Sequence, residues 1–376
     1  MKRSLAAILL FACGIILFLP PASAQSLKVG MTSKTLFYLP FYAAQKKGFY
    51  AAENLKVELI LIGRSDVQLQ ALIAGEIQFA TLNADGVILV NERGGNLKVI
   101  AGVDNAAPYV LVGGKAYRKI ADLKGARLGV SGLSGGGTSI LLDYLKSKGL
   151  QYPRDFTLTV ISGGTAARLT ALESGAIAAA ILGIPYSDIA IDQGFHRLGD
   201  TMETIPTYQF NGITVNPVWA EKTRATVVKF LKAHIRTLRW IHEQPDQATE
   251  LFISEMGVKQ PYARRGIDYF TKNKIFPIDG SVTLEGLKVN IQVQFRDGVL
   301  KEPLPAPERY TDQSYVKQAQ RELESGSMGH ERCADNFFLV SGFASAKNLG
   351  YLGFRVTNLA KTISVQGLGD CTADPP

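Results

Sequence analysis

The segment GRSDVQLQALIAGEIQFATL, residues 63–82, returns one hundred positions later as GGTAARLTALESGAIAAAIL, residues 163–182, with no gap between them. Gly63/Gly163, Leu69/Leu169, Ala71/Ala171, Leu72/Leu172, Gly75/Gly175, Ile77/Ile177, Ala80/Ala180 and Leu82/Leu182 coincide. Each copy follows an apolar, β-type run (57–62 and 158–161), turns through a glycine into a helical period, and ends in a short apolar strand (79–82 and 179–182). A strand, a crossover helix and a second strand form a parallel pair, so the repeat predicts two α/β lobes, each with a parallel sheet.

Other elements fall around this unit. Residues 27–31 read as a first strand, followed by a polar loop at 32–35 and a helix near 40–47, where Pro40 suits the first turn because its missing N–H has no intrahelical role. Residues 127–131 form another strand, which feeds the loop GVSGLSGGGTS (129–139) and a helix over 138–148. A strand at 212–215 leads to a helix over about 219–242 with Val227, Phe230, Leu231, Leu238 and Ile241 on one face, stopped by Pro245.

The N-terminus carries Lys2 and Arg3, an uncharged apolar run over 5–19, and Pro20-Pro21-Ala22-Ser23-Ala24, whose last three residues fit a small-residue cleavage site. That is the pattern of a signal peptide over residues 1–24. The run is shorter than the roughly 20 residues of a spanning helix. Removal of the signal takes Cys13 with it and leaves Cys333 and Cys371, in a compartment that permits a disulfide between them. Both lie in the tail and are poor candidates for catalysis. The formal charge is +8, two of it from Lys2 and Arg3, a weak preference for anionic partners. Lys and Arg are scattered, without the clustered basic face and interleaved aromatics of a nucleic-acid binder. With 46% hydrophobic residues in 376, the chain can bury a sizeable core or two.

The loop at 129–139 admits three chemistries. Gly132, Ser134 and Gly136 fit G-x-S-x-G, the nucleophile elbow of a serine hydrolase. That reading needs a base. His234 and His242 fall on the long amphipathic helix and His330 in the tail, so His196, with Asp188, Asp192 and Asp200 around it, is the loop-like candidate. A nucleotide phosphate loop has its glycine spacing in Gly132 and Gly137 but lacks the lysine before Thr138. The third chemistry, a cradle for a small anion, uses what is present: backbone N–H groups at Gly135, Gly136 and Gly137, hydroxyls of Ser134, Thr138 and Ser139, and the open N–H groups of the next helix.

Ligands in open α/β sheets sit beyond the carboxyl ends of the strands, which adds further candidates. In the first lobe these are Ser33, Lys34 and Thr35, then Arg64 and Ser65, then Asn83 and Asp85. In the second lobe they are Gly164 and Thr165, and Pro185 with Tyr186. Phe37, Tyr38 and Tyr42 offer an apolar or stacking wall. Plainer roles exist for several: Arg64 as a surface cation, Asn83 and Asp85 as helix caps, the aromatics as core.

The phrases LPFYAAQKKGFYAAENLKVELI, QALIAGEIQFATLN, IADLKGARLGVSGLSGGGTS, AARLTALESGAIAAAILGIPYSD and VVKFLKAHIRTLRWIHEQPDQA, in this order, make residues 27–323 resemble the periplasmic solute-binding proteins of nitrate/sulfonate/taurine-type ABC importers, a group that includes the thiamine-pyrimidine-precursor binders. The resemblance implies a type II periplasmic-binding-protein fold: two α/β lobes, a ligand cleft, two crossover strands and hinge closure. It places one lobe at 25–112 and 209–323, the other at 113–208, the crossovers near 110–113 and 208–212, and leaves 324–376 as a C-terminal extension. It implies a monomer that captures a small anionic solute (sulfonate, nitrate, taurine or a related organic anion) in the periplasm and delivers it to a membrane permease. No catalysis, cofactor or metal is expected. The family usually carries an acidic residue where this chain has Gln78 and Ala178, and the cysteine cluster of the pyrimidine-synthesising enzymes of the same fold is absent. A secreted serine hydrolase built on Ser134 and a sensor-linked binding protein are the alternatives.

Overall fold

The computed structural model describes residues 25–133 and 136–325. The chain divides into two compact units, 1–319 and 320–376, and of the second only 320–325 are described, as helix. The signal sequence, Ser134, Gly135, His330, Cys333 and Cys371 all lie outside the described residues.

The first unit opens with β1 (Gln25–Met31), α1 (Leu39–Lys46), α2 (Phe49–Ala52), β2 (Leu55–Leu61), α3 (Ser65–Ala74), β3 (Phe79–Asn83), α4 (Ala84–Glu92) and β4 (Lys98–Gly102). The chain then enters β5 (Val110–Gly113), β6 (Arg127–Val130), α5 (Gly136–Ser147), β7 (Thr157–Val160), α6 (Gly164–Glu173), β8 (Ala179–Leu182), α7 (Tyr186–Asp192) and β9 (His196–Asp200). It returns through β10 (Asn211–Val215) to α8 (Pro217–Lys222), α9 (Arg224–Glu243), α10 (Pro245–Met256), α11 (Gln260–Lys272) and α12 (Leu284–Arg296).

These strands make two five-stranded sheets, in the orders β2-β1-β3-β10-β4 and β7-β6-β8-β5-β9. The same plan serves both. β1 pairs in parallel with β2 and β3, as β6 does with β7 and β8. The sheets are mixed, which corrects the expectation of parallel ones. β10 runs antiparallel to β3 and β4, and β5 antiparallel to β8 and β9. Each of these strands arrives from the other lobe, so no crossover helix of its own sheet fixes its direction.

The passages between sheets, 103–109 and 201–210, run beside each other. Val103 N donates to Asn211 O at 3.0 Å, Phe210 N to Asp104 O at 3.1 Å, and Thr201 N to Tyr109 O at 3.0 Å.

The sequence repeat has a packing cause. A Cβ added to Gly30 of β1 would come within 2.6 Å of Ile77 Cδ1, and one on Gly129 of β6 within 2.5 Å of Ile177 Cδ1. In both lobes an echoed isoleucine sits on a bare strand backbone. Gly75 and Gly175, which end α3 and the turn after α6, have φ of 76° and 73°, a region open to glycine and unfavourable for side chains with a Cβ.

The expected helix over 219–242 is two helices, broken at Thr223, whose Oγ1 donates to Trp219 O at 2.8 Å while its backbone leaves the helical path. The predicted apolar face holds: Val227, Phe230, Leu231, Leu238 and Ile241 are fully buried, each worth about 1.5–3 kcal/mol of transfer free energy. Phe230 stacks between Phe79 and Tyr50, with centroids 4.0 and 5.4 Å away.

Candidate functional site

The loops that follow β1, β2 and β3 face those that follow β6, β7 and β8, and the two sets touch through glycines. A Cβ on Gly63 would lie 3.2 Å from Gly163 N, so the echoed glycines meet each other. One on Gly164 would lie 2.7 Å from Ser33 Cβ, and one on Gly136 2.6 Å from Asn83 Cγ. Leu36 N donates to Ile184 O at 3.2 Å. On the rim, Arg296 of α12 pairs with Asp143 of α5 at 2.9 Å, and Tyr262 of α11 donates to Asp192 of α7. The cleft between the lobes is therefore shut in this structure.

Of the first-lobe candidates, Ser33 and Thr35 are buried, with Ser33 Oγ 3.4 Å from Thr35 Oγ1. The exposed Lys34 has its Nζ 5.8 Å from the ring centroid of Tyr42. Tyr38 shares a 2.5 Å hydrogen bond with Thr32 Oγ1, and burial pushes its phenol up to about 12. Phe37 belongs to an aromatic cluster with Tyr109, Phe210 and Phe270 at 5.2, 5.1 and 5.5 Å. Arg64 spends its guanidinium on Asp66, whereas Ser65 Oγ is buried without a partner. Asn83 accepts from Gly86 N at 3.0 Å and caps α4. Asp85 is buried under Tyr208 Oη, Asn290 Nδ2 and Gln294 Nε2, and desolvation pushes its carboxyl up to about 6 against those donors.

In the second lobe Gly136 and Gly137 open α5, and Gly164 and Thr165 open α6. Thr138 Oγ1 donates to Gly132 O at 2.6 Å, so it meets a ligand with lone pairs and not with the donor expected of it. Pro185 precedes α7, and Tyr186 packs against the apolar cluster of that lobe. The fold thus gathers Ser33, Asn83, Gly136, Gly137, Thr138 and Gly164 at the cleft, while Asp85, Arg64, Thr165 and Tyr186 are engaged within their own lobes.

A cavity of about 10 Å³ lies between the second lobe and the passage that carries Tyr109, lined by Tyr109, Val130, Ser131, Gly137, Thr138, Arg168 and Ile181. That is room for about one water molecule. Thr138 also lines a wider groove of about 530 Å³ that runs between α4 and α12 on one side and α5 on the other.

Arg168 went unnoticed in the sequence because an arginine in AARLTAL reads as a solvated helix face. It is only 4% exposed. Its Nε donates to Ile181 O at 3.3 Å and Nη2 to Thr165 Oγ1 at 2.9 Å, while Nη1 has no partner. Burial pulls its pKa below the ordinary arginine value, opposed by the Tyr109 and Tyr38 phenols. The repeat carried a signal: it aligns Arg168 with Gln68, which is also buried.

The hydrolase alternative has no base among the described residues. His196 is not in a loop but opens β9, the edge strand of the second sheet, and β8 and β5 lie between it and β6, the strand that feeds the serine loop. Its Nε2 lies 3.2 Å from Lys115 O, and those of His234 and His242 lie 2.9 Å from Gly102 O and 3.0 Å from Phe276 O. Among the described residues no cluster of His, Cys, Asp and Glu can hold a metal ion, and no helix is long and apolar enough to cross a membrane.

Known proteins share this architecture. The periplasmic nitrate-binding protein NrtA from Synechocystis PCC 6803 superposes with a TM-score of 0.68 at 14% identity, over 80% of this chain and 89% of its own. The alkanesulfonate-binding protein SsuA from Xanthomonas axonopodis pv. citri, bound to MOPS, gives 0.62 at 18% identity over 77% and 99%. These likenesses establish the type II periplasmic-binding-protein fold. The riboflavin-binding protein RibY of Chloroflexus aurantiacus is 24% identical over 225 residues, which are 57% of this chain and span 61% of that relative. The NMT1/THI5-like family model matches residues 37–248, more than half of the sequence. The chain belongs to the NMT1/THI5-like family.

Proposed function

We propose that this protein captures a small anionic solute between its lobes and delivers it to the membrane permease of an ABC importer. The observation that carries the reading is the pair of facing loop sets, bare glycine backbone and hydroxyls from both lobes, meeting beyond the carboxyl ends of two like-built sheets. Backbone N–H groups at the start of α5 and α6 favour negative charge. Structural neighbours named for nitrate and alkanesulfonate binding support an anion, and RibY adds riboflavin to the compounds worth testing.

In this reading the sheet of β1 to β4 and β10 with its helices forms one jaw and the sheet of β5 to β9 the other, a boundary a few residues from that expected at 112–113 and 208–209, and residues 1–24 direct a monomeric protein to the periplasm. The protein works by closing, with no chemical step. Three or four charge-assisted hydrogen bonds of about 1.5–3 kcal/mol each suffice, after ordering costs, for the roughly 8 kcal/mol of a micromolar binder.

The test is a thermal-shift screen of the purified protein against nitrate, taurine, alkyl sulfonates, aromatic carboxylates, pyrimidines and riboflavin. A ligand that binds only the folded state, at a hundred times its dissociation constant, adds about 2.7 kcal/mol of stability. A clear shift with one class of anion is the expected result. A flat response to every compound contradicts the reading.

A further inference from the structure

The repeat gives α3 and α6 one structural task and two different residues to perform it. In the first lobe Gln68 Nε2 donates to Thr81 O at 3.1 Å, tying helix to strand. In the second, Arg168 Nε donates to Ile181 O at 3.3 Å, from the equivalent position to the equivalent carbonyl. A neutral amide is therefore enough for the tie. The guanidinium brings a buried positive charge whose two hydrogen-bond partners are a carbonyl and a hydroxyl, neither of them a counter-ion. Such a charge is unfavourable to bury without a counter-ion, so its presence calls for a purpose other than packing.

The geometry supplies that purpose. Two of the three guanidinium nitrogens are fixed by Thr165 and Ile181, which holds the group rigid, while the third, Nη1, is buried without a partner, on a side chain that lines the cavity between the second lobe and Tyr109. Among the described residues, Arg168 is the one charged side chain on that cavity wall.

We infer that Arg168 is the anion-binding residue of the cleft and that the solute it holds carries a single negative charge, as a carboxylate, sulfonate or nitrate group. The inference rests on the solute-capture reading and narrows it. One monovalent cation in a closed, desolvated space balances one charge. A dianion leaves the second charge buried without a counter-ion.

The experiment compares the wild-type protein with Arg168→Gln, the first lobe's own solution at this position. Two quantities are measured: the melting temperature without added anion, and affinity by calorimetric titration with nitrate, methanesulfonate, benzoate and sulfate. The expected variant melts at or above the wild-type temperature and binds the preferred monoanion roughly 100-fold more weakly, the scale of one or two lost charge-assisted hydrogen bonds. Sulfate is expected to bind neither protein. Equal affinity in the variant, or a melting temperature several degrees lower, makes Arg168 a structural tie and overturns the assignment. Sulfate binding tighter than every monoanion overturns the single charge. If the wild-type protein binds none of the probes, solute capture fails as a reading, and the melting comparison still decides separately whether the charge serves the fold.

Discussion

His234 shows how one buried side chain sets the pH response of the fold. It lies on α9, stacked 5.7 Å from Phe41, with Nε2 2.9 Å from Gly102 O. Burial pulls its imidazole from 6.5 down to about 4. Between those values the unfolded chain binds a proton that the folded one refuses, so stability rises with pH from 4 to 6.5, by about 3 kcal/mol from this group. Asp85 acts in the opposite sense: its carboxyl, pushed up to about 6, keeps its proton in the folded state and lowers stability as pH rises from 3.8 to 6. In His234→Gln, whose amide can still donate to the Gly102 carbonyl, the rising contribution disappears and the Asp85 trend is laid bare. Urea denaturation at pH 4.5, 5.5 and 7 measures this, with values set by the two pKa windows. An unchanged slope contradicts the assignment. Neither environment was legible in the sequence. His234 read as an ordinary helical residue and Asp85 as a cap or a ligand, because what buries them comes from residues such as Phe41 and Tyr208, far away in the chain.

Elements were far more legible. The periodicity of 227–241 and the glycine grammar of the repeat encode local structure directly, so α9, α3 and α6 were readable from the residues. The antiparallel courses of β5 and β10 were not, since they depend on which lobe a strand comes from. The break at Thr223 was equally hidden, because threonine is tolerated in many helices. At the cleft, the glycines were found but Arg168 was missed, since only its tertiary setting distinguishes it from a surface cation. The start of α5 carries a prediction of its own. Gly136→Ala places a methyl against the Asn83 side chain of the opposite lobe, where the two walls are already in contact. Overpacking of this kind costs about 1–3 kcal/mol, which appears as roughly ten- to hundredfold weaker solute binding with little loss of melting temperature. Calorimetric titration of this variant decides it. Unchanged affinity means that the lobes need not meet at this point to hold solute.

For the whole molecule, the two sheets are joined by the paired passages 103–109 and 201–210, and the closed state is latched at its rim by Arg296 with Asp143 and by Tyr262 with Asp192. The Arg296 pair is partly exposed and adds at most about 1 kcal/mol, weak enough to open. Opening is required for a solute to reach Arg168, because the cavity of about 10 Å³ beside it holds no more than about one water molecule. The central claim is that the lobes open to admit an anion and close over it. Small-angle X-ray scattering of the purified protein, titrated with the anion that gives the largest thermal shift, tests this most directly. The account predicts a radius of gyration that falls on titration and saturates at one solute per protein. A bound anion with no change in radius would contradict closure as the means of capture.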